Sequence, residues 1–150
     1  MNKIKKISQI ITFAIFILNF AFATIIYIPE DYSTIQAGLN VALEGDTVLV
    51  GEGTFAGVIQ WPQVNGISLI GAGVNRSIID GMNDDAVLLI RTDSQEPPIL
   101  DSLTVVDGFT LTNGNGPYTG GGMLIVNASP TLRNLEIADN TAFWGGVVFP

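Results

Sequence analysis

Short apolar runs, each ended by Gly, Asn, Asp or Pro, fill most of this sequence after residue 46. They include TVLV, ISLI, AVLLI, FTLT and MLIV. Runs of this length, rich in valine, isoleucine and leucine, are typical of β-strands, and the residues that bound them favour turns. None of these stretches shows the 3.6-residue period of a helix. The pattern therefore predicts an all-β fold built from many short strands.

The second half of the chain repeats itself. Two apolar positions and a glycine pair recur in the second copy: Phe109 with Leu135, Leu111 with Ile137, and Gly121-Gly122 with Gly145-Gly146. The apolar positions are offset by 26 residues and the glycines by 24, because the second loop is two residues shorter. Strands that keep their order while a loop changes length are typical of a solenoid. An antiparallel sandwich or barrel, the alternative for many short strands, does not require such recurrence.

We therefore predict a parallel β-helix, in which each strand pairs with its equivalents in the coils above and below. The stretch ISLIGAGVNRSIIDG then contains two strands and a corner. Corner glycines are expected at four positions: Gly51, Gly53, Gly71 and Gly73. Polar residues at later corners, Asn113 and Asn140, are expected to stack as ladders.

Side-chain alternation predicts which residues of these two strands face the core. Ile67, Leu69 and Ile78 are expected to point inward. Ser68 and Ser77 are expected to face outward.

One segment, STIQAGLNVALEGD, has the pattern of a helix. Ser33 and Gln36 have the spacing of a capping box, and Gly45 is placed to end the helix. The apolar stripe recurs every four residues, at Ile35, Leu39 and Leu43. A helix of about three turns is expected here, covering the first coil, since an open terminal coil would expose core and strand edge.

The amino terminus has the features of a secretory signal. Three lysines precede an apolar run from residue 10 to 22, and Ala21-Phe22-Ala23 matches a cleavage site. The run is too short for a comfortable membrane anchor, which is the alternative. The expected organisation is a signal peptide at 1–23, an N-terminal strand and capping helix at 24–46, and β-helix coils at 47–150. The mature protein is then secreted or held at the cell surface or outer membrane, with no transmembrane span.

Composition excludes several chemistries. The net charge is −8, and cleavage after Ala23 removes all three lysines, which takes it to −11. Nucleic acid and anionic membranes are therefore not expected partners. The chain has no cysteine and no histidine, which excludes disulfides, Ser-His and Cys-His nucleophiles, and the usual zinc sites.

The segment from Ser33 to Gly81, with its order of helix, GDTVLV, GTF, ISLIGAG and SIIDG, resembles the opening of secreted right-handed parallel β-helix proteins of the pectin lyase-like superfamily. The resemblance runs from about Ile28 to the end of the chain. It implies the fold more strongly than any activity.

Two branches of that superfamily imply different functions. The opening is similar to pectinesterases, but where those carry a glutamine-containing strand this chain reads TGGGMLIV, and their later aspartate motifs are not found. The second half, with GGGM, GGVV, FTLTN and IADN, resembles polymorphic outer-membrane adhesins. That resemblance implies a non-catalytic scaffold for binding, adhesion or display, with a polysaccharide or a cell-surface glycan as partner.

A calcium-dependent polysaccharide lyase is the competing hypothesis. Three aspartates after a strand, Asp80, Asp84 and Asp85, have the oxygen ligands that Ca²⁺ prefers, with Asp101 and Asp107 one coil later. Aspartate also favours turns, which is the alternative interpretation of all five. Arg91 and Arg133 are the candidate bases, although arginine gives up a proton reluctantly. No catalytic residue is assigned.

Three aromatic residues are candidates for stacking on sugar rings: Tyr118, Trp144 and Trp61. Tyr118 and Trp144 fall in equivalent loops of the two copies. Packing into the core is the alternative, because aromatic rings bury large apolar areas. The last residues, NTAFWGGVVFP, begin a repeat without a closing cap, so the sequence is expected to be a fragment whose catalytic coils, if any, lie partly beyond it.

Overall fold

The computed structural model describes residues 22–92, 100–144 and 147–148. Over these residues the fold is mostly β, with one short helix, α1, at Ile35–Val41. The strands in chain order are β1 Ile25–Ile28, β2 Thr47–Val50, β3 Gly53–Ala56, β4 Ile59–Gln60, β5 Ser68–Gly71, β6 Ser77–Asp80, β7 Leu88–Arg91, β8 Val105–Thr112, β9 Asn115–Thr119, β10 Met123–Val126, β11 Thr131–Ile137, β12 Thr141–Trp144 and β13 Val147–Val148. The predicted signal peptide lies outside the described residues except for its last two positions.

Within the described residues the strands form three sheets, and all the strand pairings are parallel. The largest has the order β1-β2-β5-β8-β6-β3, with β11 also paired to β8. The second has the order β13-β10-β7-β4, and the third is the pair β12-β9. The long strand β8 joins two stacks of strands, β1-β2-β5 and β3-β6, because its first half pairs with β5 and its second half with β6.

The register between β8 and β11 matches the internal repeat. Phe109 lies beside Leu135 and Leu111 beside Ile137, each pair 26 residues apart. Met123 lies beside Val147, and these two residues are separated by 24 positions, the same offset as the glycine pairs. The parallel pairing that the repeat predicts is confirmed, and it is compatible with a β-helix.

Buried apolar side chains form columns that run from strand to strand. One column joins Ile26, Val48, Leu69 and Val106, all buried and all in register. A second joins Ile79 with Leu111, and a third Ile59 with Leu88 and Met123. Full burial of one such side chain contributes roughly 1.5–3 kcal/mol. The columns therefore supply the main force that holds the strands in this register.

The predicted orientation is right for one strand of the ISLIGAGVNRSIIDG stretch and wrong for the other. Ile67 and Leu69 are fully buried, as expected. In β6 the phase is shifted by one residue, so that Ser77 is buried and Ile78 is partly exposed. The Ser77 hydroxyl donates to the Gly51 carbonyl oxygen at 2.7 Å and accepts from the Ala72 N–H at 2.7 Å. These two bonds satisfy the buried hydroxyl and tie together the bends of two neighbouring strand pairs.

The helix is shorter than predicted and begins one residue later. Its N-cap is Thr34 rather than Ser33, with the threonine oxygen accepting from the Ala37 N–H at 3.1 Å. It ends at Val41, before Gly45, and Leu43 is 60% exposed, so the third position of the predicted stripe does not pack. The other two stripe residues, at 35 and 39, are buried against the strands.

The bends between strands use the predicted residue types, but the asparagines do not stack on one another. Gly53 and Gly73 have positive φ angles of 145° and 130° at their bends. Asn113 donates to the Asp80 carboxylate at 3.0 Å. Asn140 instead accepts from the Gly114 N–H at 2.7 Å, because Asn140 lies one position further along than the equivalent of Asn113. The expected asparagine ladder is therefore wrong, and mixed polar contacts join the bends.

Candidate functional site

The paired strands β9 and β12 bring two of the predicted aromatic positions together. Tyr118 lies in β9, and Trp144 is the last residue of β12. The strands pair in parallel, and Trp144 lies beside Thr119, one residue from Tyr118. The side chains of both residues lie outside what the structure describes. The two positions are in strands rather than in the loops that the sequence suggests.

A third aromatic residue, Phe143, lies in the same pair of strands and was not among the candidates predicted from the sequence. It lies in β12 next to Trp144, and 77% of its surface is exposed. Its position coincides with a shift in register between Ala142 and Trp144. The signal in the sequence is the aromatic pair in TAFWGG, within a loop that varies in length between the copies. We refer to Tyr118, Phe143 and Trp144 as the aromatic edge.

Trp61, the remaining aromatic candidate, belongs to the core. Only 4% of its surface is exposed, and its indole N–H donates to the Val64 carbonyl oxygen at 3.3 Å. The core-packing interpretation applies to this residue, since a buried ring presents no face on which a sugar can stack.

The three aspartates proposed for calcium serve the turn that follows β6. Asp80 accepts from the Met82 N–H at 2.9 Å as well as from Asn113, and Asp85 accepts from the Ala86 N–H at 2.7 Å. The backbone N–H of Asp84 donates to Gly81 at 3.1 Å. In the described parts of the chain, no group of three or more carboxylates comes together as a metal-binding cluster. The turn-forming interpretation accounts for the contacts of Asp80 and Asp85.

Asp101 anchors a separate polar network. Its carboxylate accepts from the Leu103 N–H at 2.9 Å and from the Asn65 amide at 3.0 Å. These hydrogen bonds, with the Leu103 bond the larger cause, hold the pKa of Asp101 below its usual value of 3.8. Thr104 donates to the same asparagine at 2.8 Å. The network joins the turns before β5 and β8.

The two candidate bases lie in different sheets. Arg91 is the last residue of β7, and its carbonyl oxygen accepts from the Gln63 amide at 2.7 Å. Arg133 is exposed in β11, beside Asp107 in the register of β8. Asp107 accepts from the Asn134 amide at 2.8 Å. The described residues thus place neither arginine beside the aspartates at 80–85 in a paired strand.

A groove that the sequence does not signal runs beside the helix. A cavity of about 450 Å³ lies between the start of α1 and strands β3 and β4, lined by residues 33–36 and 54–59. A second depression of about 440 Å³ shares Gln36 and Val58 with it and adds Asn40 and residues 60–63. None of the described residues that line the two depressions is charged. We call the two together the helix groove.

No protein-family model, no curated protein and no solved structure matches this chain. Within the described residues, the structure contains no helix long and apolar enough to cross a bilayer.

Proposed function

We propose that the chain is an exported right-handed parallel β-helix whose aromatic edge binds a polysaccharide or a cell-surface glycan without turnover. The observation that carries the fold is the parallel register of β8 and β11, in which equivalent residues of the repeat lie side by side 26 residues apart. Parallel strands joined by crossovers in one sheet are almost always right-handed, which supports the hand. The resemblance to the pectin lyase-like superfamily points the same way.

Export is proposed from the residues at the amino terminus. The basic start, the short apolar run and the Ala21-Phe22-Ala23 site support a signal peptide cleaved after Ala23. Strand β1 starts at Ile25, two residues after the proposed cleavage site. Export places the mature protein outside the cell or at its surface, where glycans are abundant partners.

The binding hypothesis depends on how the aromatic edge is built. Residues 118 and 144 lie in neighbouring parallel strands, and Trp144 is paired with Thr119, the residue next to Tyr118. Phe143 adds an exposed ring at the same edge. Aromatic side chains spaced along a rigid sheet provide a platform for pyranose rings, which present apolar faces. The carboxylates of Asp80 and Asp101, by contrast, are engaged in holding turns.

Binding to immobilised uronate and neutral polysaccharides tests this proposal. We expect saturable retention of the wild-type chain on at least one polymer, and Trp144→Ala and Tyr118→Ala each weaken it about tenfold, the effect of losing roughly 1.4 kcal/mol of stacking energy. Tyr32→Ala is the matched control, because Tyr32 is a partly exposed aromatic residue outside the aromatic edge. Circular dichroism of each variant checks that the fold is retained.

Two outcomes would contradict the proposal. Equal retention of wild type, Trp144→Ala and Tyr118→Ala rejects the aromatic edge as the binding site. Growth of ultraviolet absorbance from unsaturated ends, when polygalacturonate is incubated with the protein and Ca²⁺, establishes the lyase instead of a non-catalytic binder.

A further inference from the structure

Strands β2, β3 and β4 pair on one side with β5, β6 and β7, and each meets a different neighbour on its other side. β2 is covered there by β1, through a four-residue parallel register. β4 is covered by one side chain, since the Gln36 amide donates to the Gln60 carbonyl oxygen at 2.9 Å and accepts from the Gln60 N–H at 2.8 Å. A side-chain amide here takes the place of a strand. β3 pairs with β6 and, among the described residues, with no other strand.

The backbone of β3 has a defined set of groups at this edge. The N–H of Gly53 donates to Arg76 at 2.7 Å and that of Gly57 to Asp80 at 2.8 Å, so these residues face β6. In a strand of a parallel sheet, the N–H and C=O groups of one residue point to the same side of the strand, and those of the next residue point to the other side. Thr54 and Ala56 therefore direct their N–H and C=O groups toward the uncovered edge, and both residues are exposed.

The helix groove lies along this same edge. Its larger cavity, about 450 Å³, is in the size range of sites that hold small ligands or short segments. Its lining includes Phe55, which is partly buried, and Ile35 and Ile59, which are buried. Beyond Gln36 the groove continues past the amides of Asn40 and Gln60. A strand added to β3 would thus have an apolar wall beside it and amide partners at one end.

We propose that β3 is a docking edge for an extended segment of another protein, which adds to the sheet as a parallel or antiparallel strand. Backbone pairing with Thr54 and Ala56 supplies the affinity, and the groove accepts alternate apolar side chains. With the proposed signal peptide removed, the net charge is −11, which favours a segment with basic flanks over an acidic one or over a second copy of this chain. This site is separate from the aromatic edge and does not depend on glycan binding.

The test uses a set of fluorescent peptides of the form Lys-Xaa-Thr-Xaa-Lys, in which Xaa is Val, Ile, Leu or Phe. Fluorescence polarisation with the purified chain is expected to show saturable binding of at least one peptide, with a Kd below about 1 mM. The same peptide N-methylated at alternate residues cannot complete the backbone pairing and should bind at least about tenfold more weakly.

Two variants place the binding on the β3 edge. Ala56→Pro removes an N–H that faces the free edge and leaves the bonds of Gly53 and Gly57 to β6 in place, so it should fold and lose binding by about tenfold or more. Thr54→Val keeps every backbone group and should bind as the wild type does. Unfolding curves of both variants check that the sheet is intact.

Three results would overturn the proposal. The first is the absence of binding by every peptide at millimolar concentration. The second is equal binding by wild type and Ala56→Pro, which puts the peptide elsewhere. The third is a dimer of the wild-type chain in sedimentation that Ala56→Pro abolishes, because the occupant of the edge is then a second copy. Loss of glycan binding in the aromatic-edge variants bears on none of these.

Discussion

Gly121→Ala is expected to destabilise the protein by about 3 kcal/mol or more, the upper range for forcing extra atoms into a packed site. A β-carbon at position 121 would overlap the carbonyl oxygen of Thr141, which belongs to β12. The Gly121 carbonyl oxygen also accepts from the Val87 N–H at 3.1 Å. The residue is therefore held between two neighbouring segments of backbone, and neither can move without losing its hydrogen bonds.

Gly51→Ala is the matched control for this substitution. A β-carbon at position 51 meets the Ile28 carbonyl oxygen at 3.4 Å, an ordinary contact. Its effect should be within about 1 kcal/mol, because alanine also restricts the unfolded chain and so offsets part of any cost. Urea unfolding of the three proteins measures the difference. Equal stability of Gly121→Ala and Gly51→Ala would show that the backbones at 121 and 141 are not in close approach.

Phe109→Ala is expected to cost about 3–5 kcal/mol of unfolding free energy, the usual loss for a buried phenylalanine. Phe109 is fully buried and lies at the middle of β8, the strand that pairs with both β5 and β6. It lies beside Leu135 of β11, and its ring also lies beside Gly71 of β5. Removing the ring leaves a cavity where three strands meet, so relaxation of one strand cannot fill it.

Phe143→Ala makes the same chemical change at an exposed position. With 77% of its surface exposed, Phe143 should contribute less than about 0.5 kcal/mol to stability. Denaturant unfolding of both variants compares the two sites. A loss in Phe109→Ala as small as that in Phe143→Ala would contradict the central place of Phe109 in the core.

The recurrence of apolar residues is enough to predict that β8 and β11 pair. Phe109 pairs with Leu135 in the sheet, as their 26-residue offset predicts, because a shift of one residue would turn a buried side chain outward. The same reasoning failed across the bend before β6. There the hydroxyl of Ser77 found two backbone partners inside the sheet, so hydrogen bonding rather than hydropathy decided which residue is buried.

The candidate sites were harder to predict, because their partners are distant in the sequence. Gln36 has the spacing of a capping residue, but its amide pairs with Gln60, 24 residues away. No local pattern signals that contact. The edge of β3 was invisible for a related reason, since an edge strand and a central strand have the same alternation until their neighbours are known. Trp61 shows that an aromatic residue next to polar neighbours can still be buried.

Engineered disulfides between β8 and β11 test the parallel stacking most directly, because the chain has no cysteine of its own. In the parallel register Val105 lies beside Thr131 and Asp107 beside Arg133. Partners at about 4.8 Å are within the range that a disulfide spans, whereas diagonal neighbours at about 7–8 Å are at or beyond its limit. Two double-cysteine variants therefore replace the in-register pairs, and two others replace the diagonal pairs 105 with 133 and 107 with 131.

Mild oxidation followed by mass mapping of the linked peptides gives the result. The parallel stack predicts rapid, complete disulfides in the variants 105 with 131 and 107 with 133, and little or none in the two diagonal variants. The opposite outcome, with cross-links in the diagonal variants and none in register, would show that β8 and β11 run antiparallel and would contradict the parallel β-helix.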